Sequence, residues 1–568
     1  MSNLIYTAMS GLKGAQVALS TVSNNISNQA VTGYSRQNTI LEQAISNSTS
    51  AGYIGNGVNV VSVNRQYNEF ITNQLRAAQT TSSSVSAHYE QISKIDNLLA
   101  SSTTSLSSTI QDFFSNLQNL TSNSGDSSTR QTVLGKAEGL VNQFKSTDKY
   151  LRDMDSGLNT QIQSIVGQVN TYTEQIASLN NEITKLMGAN SGTMPNDLLD
   201  QRDLLVDQLN KLVGVDVTVQ DEIVYNVALK NGTNLVQSGS SNQLVAISSS
   251  TEPARLTIGY QDRTGDVVAL NESTLTGGSL GGLLSFRTDT LDETRAQLGQ
   301  LALAFADAFN AQHQQGYDRD GVKGGDFFSF GEAVALNDAK NSGSAVLTPS
   351  YTSSKDVLAT NYSIKYDGAN WQVTRLSDNS KFTAAVTTSG TPAESSLNFD
   401  GIKMTITGTP ATNDSFLLKP VNDVITDMSV AISDPNKIAA ASVKLDSSGN
   451  AVVDASGNPV FGGVSDNTNA KALLALQNEQ LVGGKASISG AYASIVGEIG
   501  NQTSTLKINN TSQQNVVKQL TAEQQSVSGV NLDEEYGDLM RYQQYYMANA
   551  QVIKTAQSIF DALLAARS

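Results

Sequence analysis

The stretch NLDEEYGDLMRYQQYYMANAQVIKTAQSIFDALL, residues 531–564, decides how the chain is read. Leu532, Tyr536, Leu539, Tyr546, Ile553, Phe560 and Leu564, with Gln543, Ala550 and Gln557 completing the rhythm, alternate steps of four and three, the spacing that keeps side chains on one stripe of an α-helix. Asn531 is placed to cap this helix with Glu534 at its third position. Asp533, Glu534 and Glu535 set negative charge against the positive end of the helix dipole. The opposite tip repeats the pattern: Leu4, Ala8, Leu12, Ala15, Leu19, Val22 and Ile26 form a second stripe that ends at Asn28. Periodicity alone is divided evenly between an intramolecular helix pair and packing between copies. The entropy of ordering the backbone offsets most of what burying either stripe returns, so the pair is marginal in isolation. The free chain is therefore expected to have mobile ends, about 60 residues at the N-terminus and about 40 at the C-terminus, that order when neighbours crowd round them. Gln543 and Gln557 either set helix register as polar seam residues or face solvent at a partly open seam.

Moving inward from the N-terminal stripe, Thr32-Gly33-Tyr34 and Gly52, Gly55 and Gly57 carry turn chemistry, and an extended stretch runs to about Arg65. From about Asn68 to Gly214 a Ser, Thr, Asn and Gln background holds further helical stripes. One is Leu106, Ile110, Phe113, Leu117 and Leu120; another runs from Leu158 through Ile165, Tyr172 and Leu179 to Leu186, with a break over Gly188–Pro195. A segment from about Ala470 to Gln525, with Ile495, Ile499, Leu506, Val517 and Leu520, is suited to pack beside them. At Val215 the period becomes two: Val215, Val217 and Val219, then Ile223, Tyr225, Val227 and Leu229, with Asn231-Gly232 as a turn. One helix over about Leu283 to Gln314 interrupts this pattern. A second β-rich block from Tyr351 to Pro420 alternates Tyr362, Ile364 and Tyr366, then Ile402, Met404 and Ile406.

The order predicts an α+β multidomain chain whose terminal helices form a coiled-coil-like domain, with a helical-bundle domain and inserted β-rich outer domains. The expected divisions are 1–65 plus 526–568, 66–214 plus 430–525, a mixed β-rich region with one long helix at 215–350, and a β-rich outer domain at 351–429.

Composition narrows the function. A net charge of -16 over 568 residues repels phosphate backbones and anionic lipid, so neither nucleic acid nor a membrane surface is an expected partner. Cysteine is absent, which excludes disulfides, thiolate metal sites and a cysteine nucleophile. The two histidines, His88 and His313, are too few for a multi-histidine metal site, and no cofactor is expected. No apolar run reaches the ~18 to 20 residues that span a bilayer. Met1 to Tyr6 lacks a basic region followed by an apolar block, so export would proceed without a cleaved signal. Only 8 prolines occur, which favours long uninterrupted helices.

Two short motifs invite chemistry. Gly277-Gly278-Ser279-Leu280-Gly281 fits the spacing of a nucleophile elbow, with His313 the only downstream base, although a strand-to-helix turn is the plainer reading. Asp318-Arg319-Asp320-Gly321 with Asp326 fits part of a calcium loop, but the twelfth position, where a glutamate belongs, is Ser329; a solvated Asp-Gly turn is preferred.

The tips also carry a resemblance. Ala8-Met9-Ser10-Gly11-Leu12, Ser23-Asn24-Asn25-Ile26-Ser27-Asn28 and Thr32-Gly33-Tyr34-Ser35-Arg36 resemble the N-terminal signature of the flagellar rod, hook and hook-associated protein family. Ser528-Gly529-Val530-Asn531-Leu532-Asp533-Glu534-Glu535, continuing to Phe560 and Leu563-Leu564, resembles its C-terminal signature. Interior runs narrow the likeness to the hook-associated branch: Asp197 to Asp203, Gly281 to Arg287, Asn310 to Gly316, Trp371-Gln372-Val373 and Gly408 to Phe416. The resemblance implies a structural axial subunit exported through the flagellar type III apparatus. It implies self-assembly as a ring-like layer at the distal end of the hook, contact with hook protein and hook-associated protein 3, and a cytoplasmic chaperone on the C-terminal helix. Another axial protein, of the hook or distal rod, is the alternative within the family, and a secreted serine hydrolase is the alternative outside it.

Overall fold

The computed structural model describes residues 2–49, 52–100, 105–189, 193–221, 223–389 and 394–566. Its helices are α1 (Ser2–Asn28), α2 (Glu69–Leu99), α3 (Leu106–Ser122), α4 (Ser127–Ala189), α5 (Asn196–Leu212), α6 (Gly278–Phe286), α7 (Asp292–His313), α8 (Thr468–Ala475), α9 (Ile488–Ser528) and α10 (Leu532–Ala565).

The body is organised by α4, 63 residues and about 95 Å long at 1.5 Å per residue. Its stripe Leu158, Ile162, Ile165, Val169 and Ile176 is buried, and the same face continues upstream through Val133, Leu140, Phe144 and Leu151. From α3, Phe113 meets Phe305, Phe309 and Phe328, with ring centroids 5.5 to 6.2 Å apart, the separation at which tilted and edge-on aromatic pairs gain beyond their buried area. α9 returns antiparallel along α2, with Tyr492 Oη donating to Leu99 O at one end and Gln524 meeting Thr72 at the other. The helix expected near 283–314 begins at Gly278 and contains one π-turn, Arg287–Leu291, between α6 and α7. Leu284, Leu291, Leu298 and Phe305, seven apart, are all buried.

Among the described residues, strands Val215–Gln220, Val224–Leu229, Asn234–Gln237 and Ser240–Ser241 form one antiparallel sheet, and Gln243–Ser248, Leu256–Gln261 and Val267–Ala269 another. Both are tied to α4. Asn170 brackets Leu244, accepting its N–H and donating to its carbonyl, while Asn180 Nδ2 donates to Tyr225 O. The segment 215–350, expected as a region of its own, is thus corrected: its sheets clamp onto α4 and α6 and α7 enter the helical core.

The outer sandwich has sheets of strand order Val334–Asn337, Ser415–Lys419, Tyr362–Tyr366, Trp371–Arg375, Lys381–Ala384 and Val346–Tyr351, Ile402–Thr407, Glu394–Phe399, Val386–Ser389. Tyr362, Ile364, Trp371, Val373, Leu397, Ile402, Met404, Phe416 and Leu418 fill its interior, the alternation a two-layer sheet requires. The expected boundary at 350/351 is also corrected. Val334–Asn337 pairs with Ser415–Lys419 and Val346–Tyr351 with Ile402–Thr407, so the sandwich opens at Val334 and closes at Lys419.

One turn recurs four times among the described residues: Asp262–Asp266, Asp318–Val322, Asp446–Asn450 and Asp454–Asn458. In each, the Asp carboxylate accepts the N–H groups two and four residues on. The fourth residue is Gly265, Gly321, Gly449 or Gly457, at φ of +76° to +94°, a left-handed backbone conformation that residues with a side chain rarely adopt.

Candidate functional site

The two tips of the chain lie side by side. α1 and α10 run antiparallel, because Asn25 meets Glu535 while Gly11 meets Asn549. A Cβ at Gly11 would sit 2.6 Å from Asn549 Oδ1, so the Asn549 side chain packs directly onto the glycine. Ala8, Ala15, Ala18 and Val22 are buried on α1, and Glu535 and Ala556 on α10. The hairpin Gln37–Gln43 with Val58–Arg65 covers a second face of α1. Leu41 and Val58 lie over Gly14, Ser10 Oγ accepts the Val58 N–H, and the Thr21 and Thr39 hydroxyls share a hydrogen bond.

This arrangement splits the stripes read from periodicity. Val22 is buried, Leu12, Leu19, Ile26, Leu532, Leu539 and Ile553 are half-buried, and Leu4 is exposed. Tyr536, Tyr546, Phe560 and Leu564 face solvent, at 52%, 38%, 51% and 53% exposure, and Tyr6, Met9, Met540, Met547 and Leu563 are bare beside them. On α1 the buried seam is mostly small residues, and α10 meets it with Glu535, Tyr542, Asn549 and Ala556. The large side chains are left outside, a broad unpartnered apolar surface of the kind that marks a protein contact. Gln543 and Gln557 are exposed, so neither sets register within the pair.

Between the seam and the body lies a polar node that sequence reasoning missed. Buried Asn25 is fully used: its Oδ1 accepts from Tyr34 Oη (2.8 Å) and Gln37 N (3.0 Å), and its Nδ2 donates to Gln37 O and to Glu535 Oε2 (each 2.9 Å). Arg36 donates from Nε to Glu535 Oε1 (2.6 Å) and from NH1 to Glu534 Oε2 (2.7 Å). Glu534 therefore serves Arg36, and Asn531 alone caps α10 by accepting the Asp533 N–H. Burial pushes the Tyr34 hydroxyl up to about 12, helped by the negative charge of Asp200 and Glu535, so Tyr34 remains a donor. Burial disfavours the Arg36 cation, but Glu535 and Glu534 more than reverse this and hold its pKa above the ordinary value.

The next residues carry the link onward. Ser35 N donates to Asp200, Arg36 N donates to Ser528 O, and Asn196 Nδ2 donates to Val63 O. Arg65 NH1 bridges Asp200 (2.9 Å) and Asp203 (2.7 Å), and Arg76 joins Asp203 (3.1 Å) to Asp207 (2.6 Å). Tyr225 Oη also donates to Asp203. Burial alone would raise the Asp203 carboxyl, and Arg65 and Arg76 bring it below its usual value. At Asp200 and Asp207 burial wins and the carboxyls are raised. The available signal was the spacing: Asp200, Asp203 and Asp207 fall on one face of α5, and a carboxylate stripe on a packed helix must meet cations.

The two chemical motifs are structural. His313 is buried, with Nδ1 donating to Gly325 O (2.7 Å) and Nε2 accepting the Ala439 N–H (2.8 Å). Burial lowers its pKa, so it is a neutral strut with both ring nitrogens spent and none left for Ser279. Ser279 lies in the first turn of α6, where Gly278 passes against the Leu212 backbone as a strand-to-helix turn would. Asp318 is occupied by its own turn and by Lys437 Nζ at 3.0 Å, which also meets Asp320, while Asp326 accepts from Gln314.

Comparison with known proteins accounts for this architecture. Residues 92–328 match the family described as flagellar hook-associated protein FlgK helical domain, and 336–420 match flagellar hook-associated protein 1, D2-like domain. Residues 5–34 match flagella basal body rod protein and 523–566 match flagellar basal body rod FlgEFG protein C-terminal. The chain is 54% identical to the flagellar hook-associated protein 1 of Salmonella typhimurium over 566 residues, covering 99% of this chain and 100% of the relative. It is 53% identical to that of Escherichia coli over 565 residues, again covering 99% of this chain and 100% of the relative. The solved structure of the flagellar hook junction protein FlgK from Burkholderia pseudomallei is similar at a TM-score of 0.73 and 30% identity, covering 80% of this chain and 100% of that one. No helix of the described residues is long and apolar enough to cross a membrane. The chain therefore belongs to the flagellar hook-associated protein 1 family, non-enzymatic structural proteins of the junction between flagellar hook and filament.

Proposed function

We propose that the protein polymerises as a ring-like layer at the distal end of the hook, with the α1 and α10 pair as the assembly element. Hook protein lies below it, hook-associated protein 3 above it, and copies of itself lie beside it. The observation that carries this is the unpartnered apolar surface of Tyr6, Met9, Tyr536, Met540, Met547, Phe560, Leu563 and Leu564, large side chains that the contact between α1 and α10 leaves in water. The same surface explains a need for a cytoplasmic chaperone on α10 before export, which proceeds without a cleaved signal through the flagellar type III apparatus and places the protein in the extracellular flagellum. In this reading the terminal unit, 1–65 with 526–568, is inward. The helical body, which takes in the sheets of 215–269, stands outside it, and the sandwich of 334–419 is outermost. The pair gains its full order from neighbours.

Deletion of residues 531–568 tests the assignment. The truncated protein is expected to remain soluble with its body and sandwich folded, while hooks fail to incorporate it and filaments fail to attach. Filaments of normal number and length in a strain carrying only the truncated chain would refute it.

A further inference from the structure

The α1 and α10 seam is a poor ruler. On the α1 side Ala8, Gly11, Ala15 and Ala18 differ little in size, so the apolar surface that α1 offers does little to fix where α10 sits along it. Something else must fix which residues meet, because the outer face presented to neighbouring copies depends on it. The glutamines that periodicity put on the seam face solvent.

We infer that Asn25, Arg36 and Glu535 form the register lock of the terminal helix pair, with Glu535 the positioning residue on which the outer assembly face depends. Glu535 is 1% exposed, and each of its carboxylate oxygens has its own donor, Asn25 Nδ2 on α1 and Arg36 Nε on the segment after it. A shift of α10 by two turns in either direction replaces Glu535 at this point with Tyr542 or with Ser528, the last residue of α9. Buried Asn25 and half-buried Arg36 would then have no anionic acceptor between them, the costly outcome for desolvated polar groups. Because Tyr34 donates to Asn25, Ser35 to Asp200 and Arg36 to Glu535, three consecutive residues tie helix register to the seating of the pair on the body. The inference rests on reading the paired ends as the assembly element.

The chain has no cysteine, so disulfide capture can read the register of the full-length protein directly. The Gly11→Cys and Asn549→Cys pair reports the observed register, since a Cβ at Gly11 lies 2.9 Å from Asn549 Cγ. Gly11→Cys with Tyr542→Cys or with Ala556→Cys reports slips of two turns. Under mild oxidation the first pair is expected to exceed both slipped pairs by about tenfold or more, the value of one charge-assisted hydrogen bond. In the Glu535→Ala background the three yields become comparable, and swimming haloes shrink although export continues. Asn25→Asp opposes two carboxylates and scrambles the register in the same way, while adding Glu535→Gln restores a donor to face it and returns the capture to the first pair. If Glu535→Ala and Asn25→Asp both leave the Gly11 and Asn549 capture dominant, the lock is refuted. If the parent background captures none of the three pairs, the paired-end reading itself fails, a result distinct from the first.

Discussion

Phe560→Asp separates assembly from folding. Phe560 is 51% exposed on α10, and α10 packs on α1 rather than on the core of the body. An aromatic side chain buries about 150 to 250 Å², so the half left bare is about 100 Å², worth about 2.5 kcal/mol per copy if neighbours cover it. Aspartate forfeits that area and adds the cost of drying a carboxylate, so the total loss is at least about 4 kcal/mol per copy, close to a thousandfold in association. In the unassembled protein the same substitution removes only a half-buried contact near a helix end, and the body's melting temperature is expected to stay within about 2 °C. Calorimetry of the purified variant gives the second quantity, and filament counts by electron microscopy with swimming haloes give the first. Phe560→Leu, which keeps the apolar surface, should assemble. Normal filaments from the Phe560→Asp strain would show that the bare face of α10 is not what neighbours bind.

Asp203→Asn should unseat the body before the sandwich. It neutralises the carboxylate that Arg65, Arg76 and Tyr225 share, which costs roughly 2 to 4 kcal/mol with Asp200 and Asp207 still present. The single tryptophan, Trp371, is buried in the sandwich, so the urea midpoint by circular dichroism should fall while the fluorescence midpoint holds; a joint fall would contradict the separation. His313 supplies a pH dependence with a definite sign. Its folded pKa is depressed by burial below 6.5, so its contribution is complete above about pH 6.5 and is lost as pH falls through the lower folded value. Between pH 7.5 and 5 the parent's melting temperature should drop more than that of His313→Gln, and equal drops would remove His313 as the cause. Gly299→Val should loosen the sandwich from the body, because a Cβ at Gly299 meets Val421 O at 2.5 Å; protease sensitivity of the segment after Lys419 is the readout, and unchanged cleavage would argue that α7 can yield there.

Local pattern carried much of this fold. The helical stripes of α3, α4 and α7 and the alternation in Tyr362–Tyr366 and Ile402–Thr407 were legible because each is a property of neighbouring residues facing one core. What escaped depends on partners distant in the chain. Val334–Asn337 and Val346–Tyr351 are short, and only their pairing with Ser415–Lys419 and Ile402–Thr407 makes them part of the sandwich. The sheets after Val215 looked independent because their anchors, Asn170 and Asn180, are single polar residues on α4 whose purpose is invisible until the chain returns.

The terminal pair shows the same limit more sharply. Periodicity found both helices and left open whether their large apolar residues face each other or neighbouring copies, and the buried seam takes Ala8, Ala15, Ala18 and Val22 from α1 with Glu535 and Ala556 from α10. The tyrosines, methionines and phenylalanine that α10 leaves exposed are the residues the proposed assembly would cover. The signature residues Asn25, Tyr34 and Arg36 could be quoted from the sequence but given no role, and Glu535 only a place at the helix dipole, because their meaning is a set of contacts across 499 and 510 positions of chain. A chain whose two tips must meet through so weak a seam needs a polar device to choose how they meet, and the buried carboxylate of Glu535 supplies the specificity that alanine and glycine cannot.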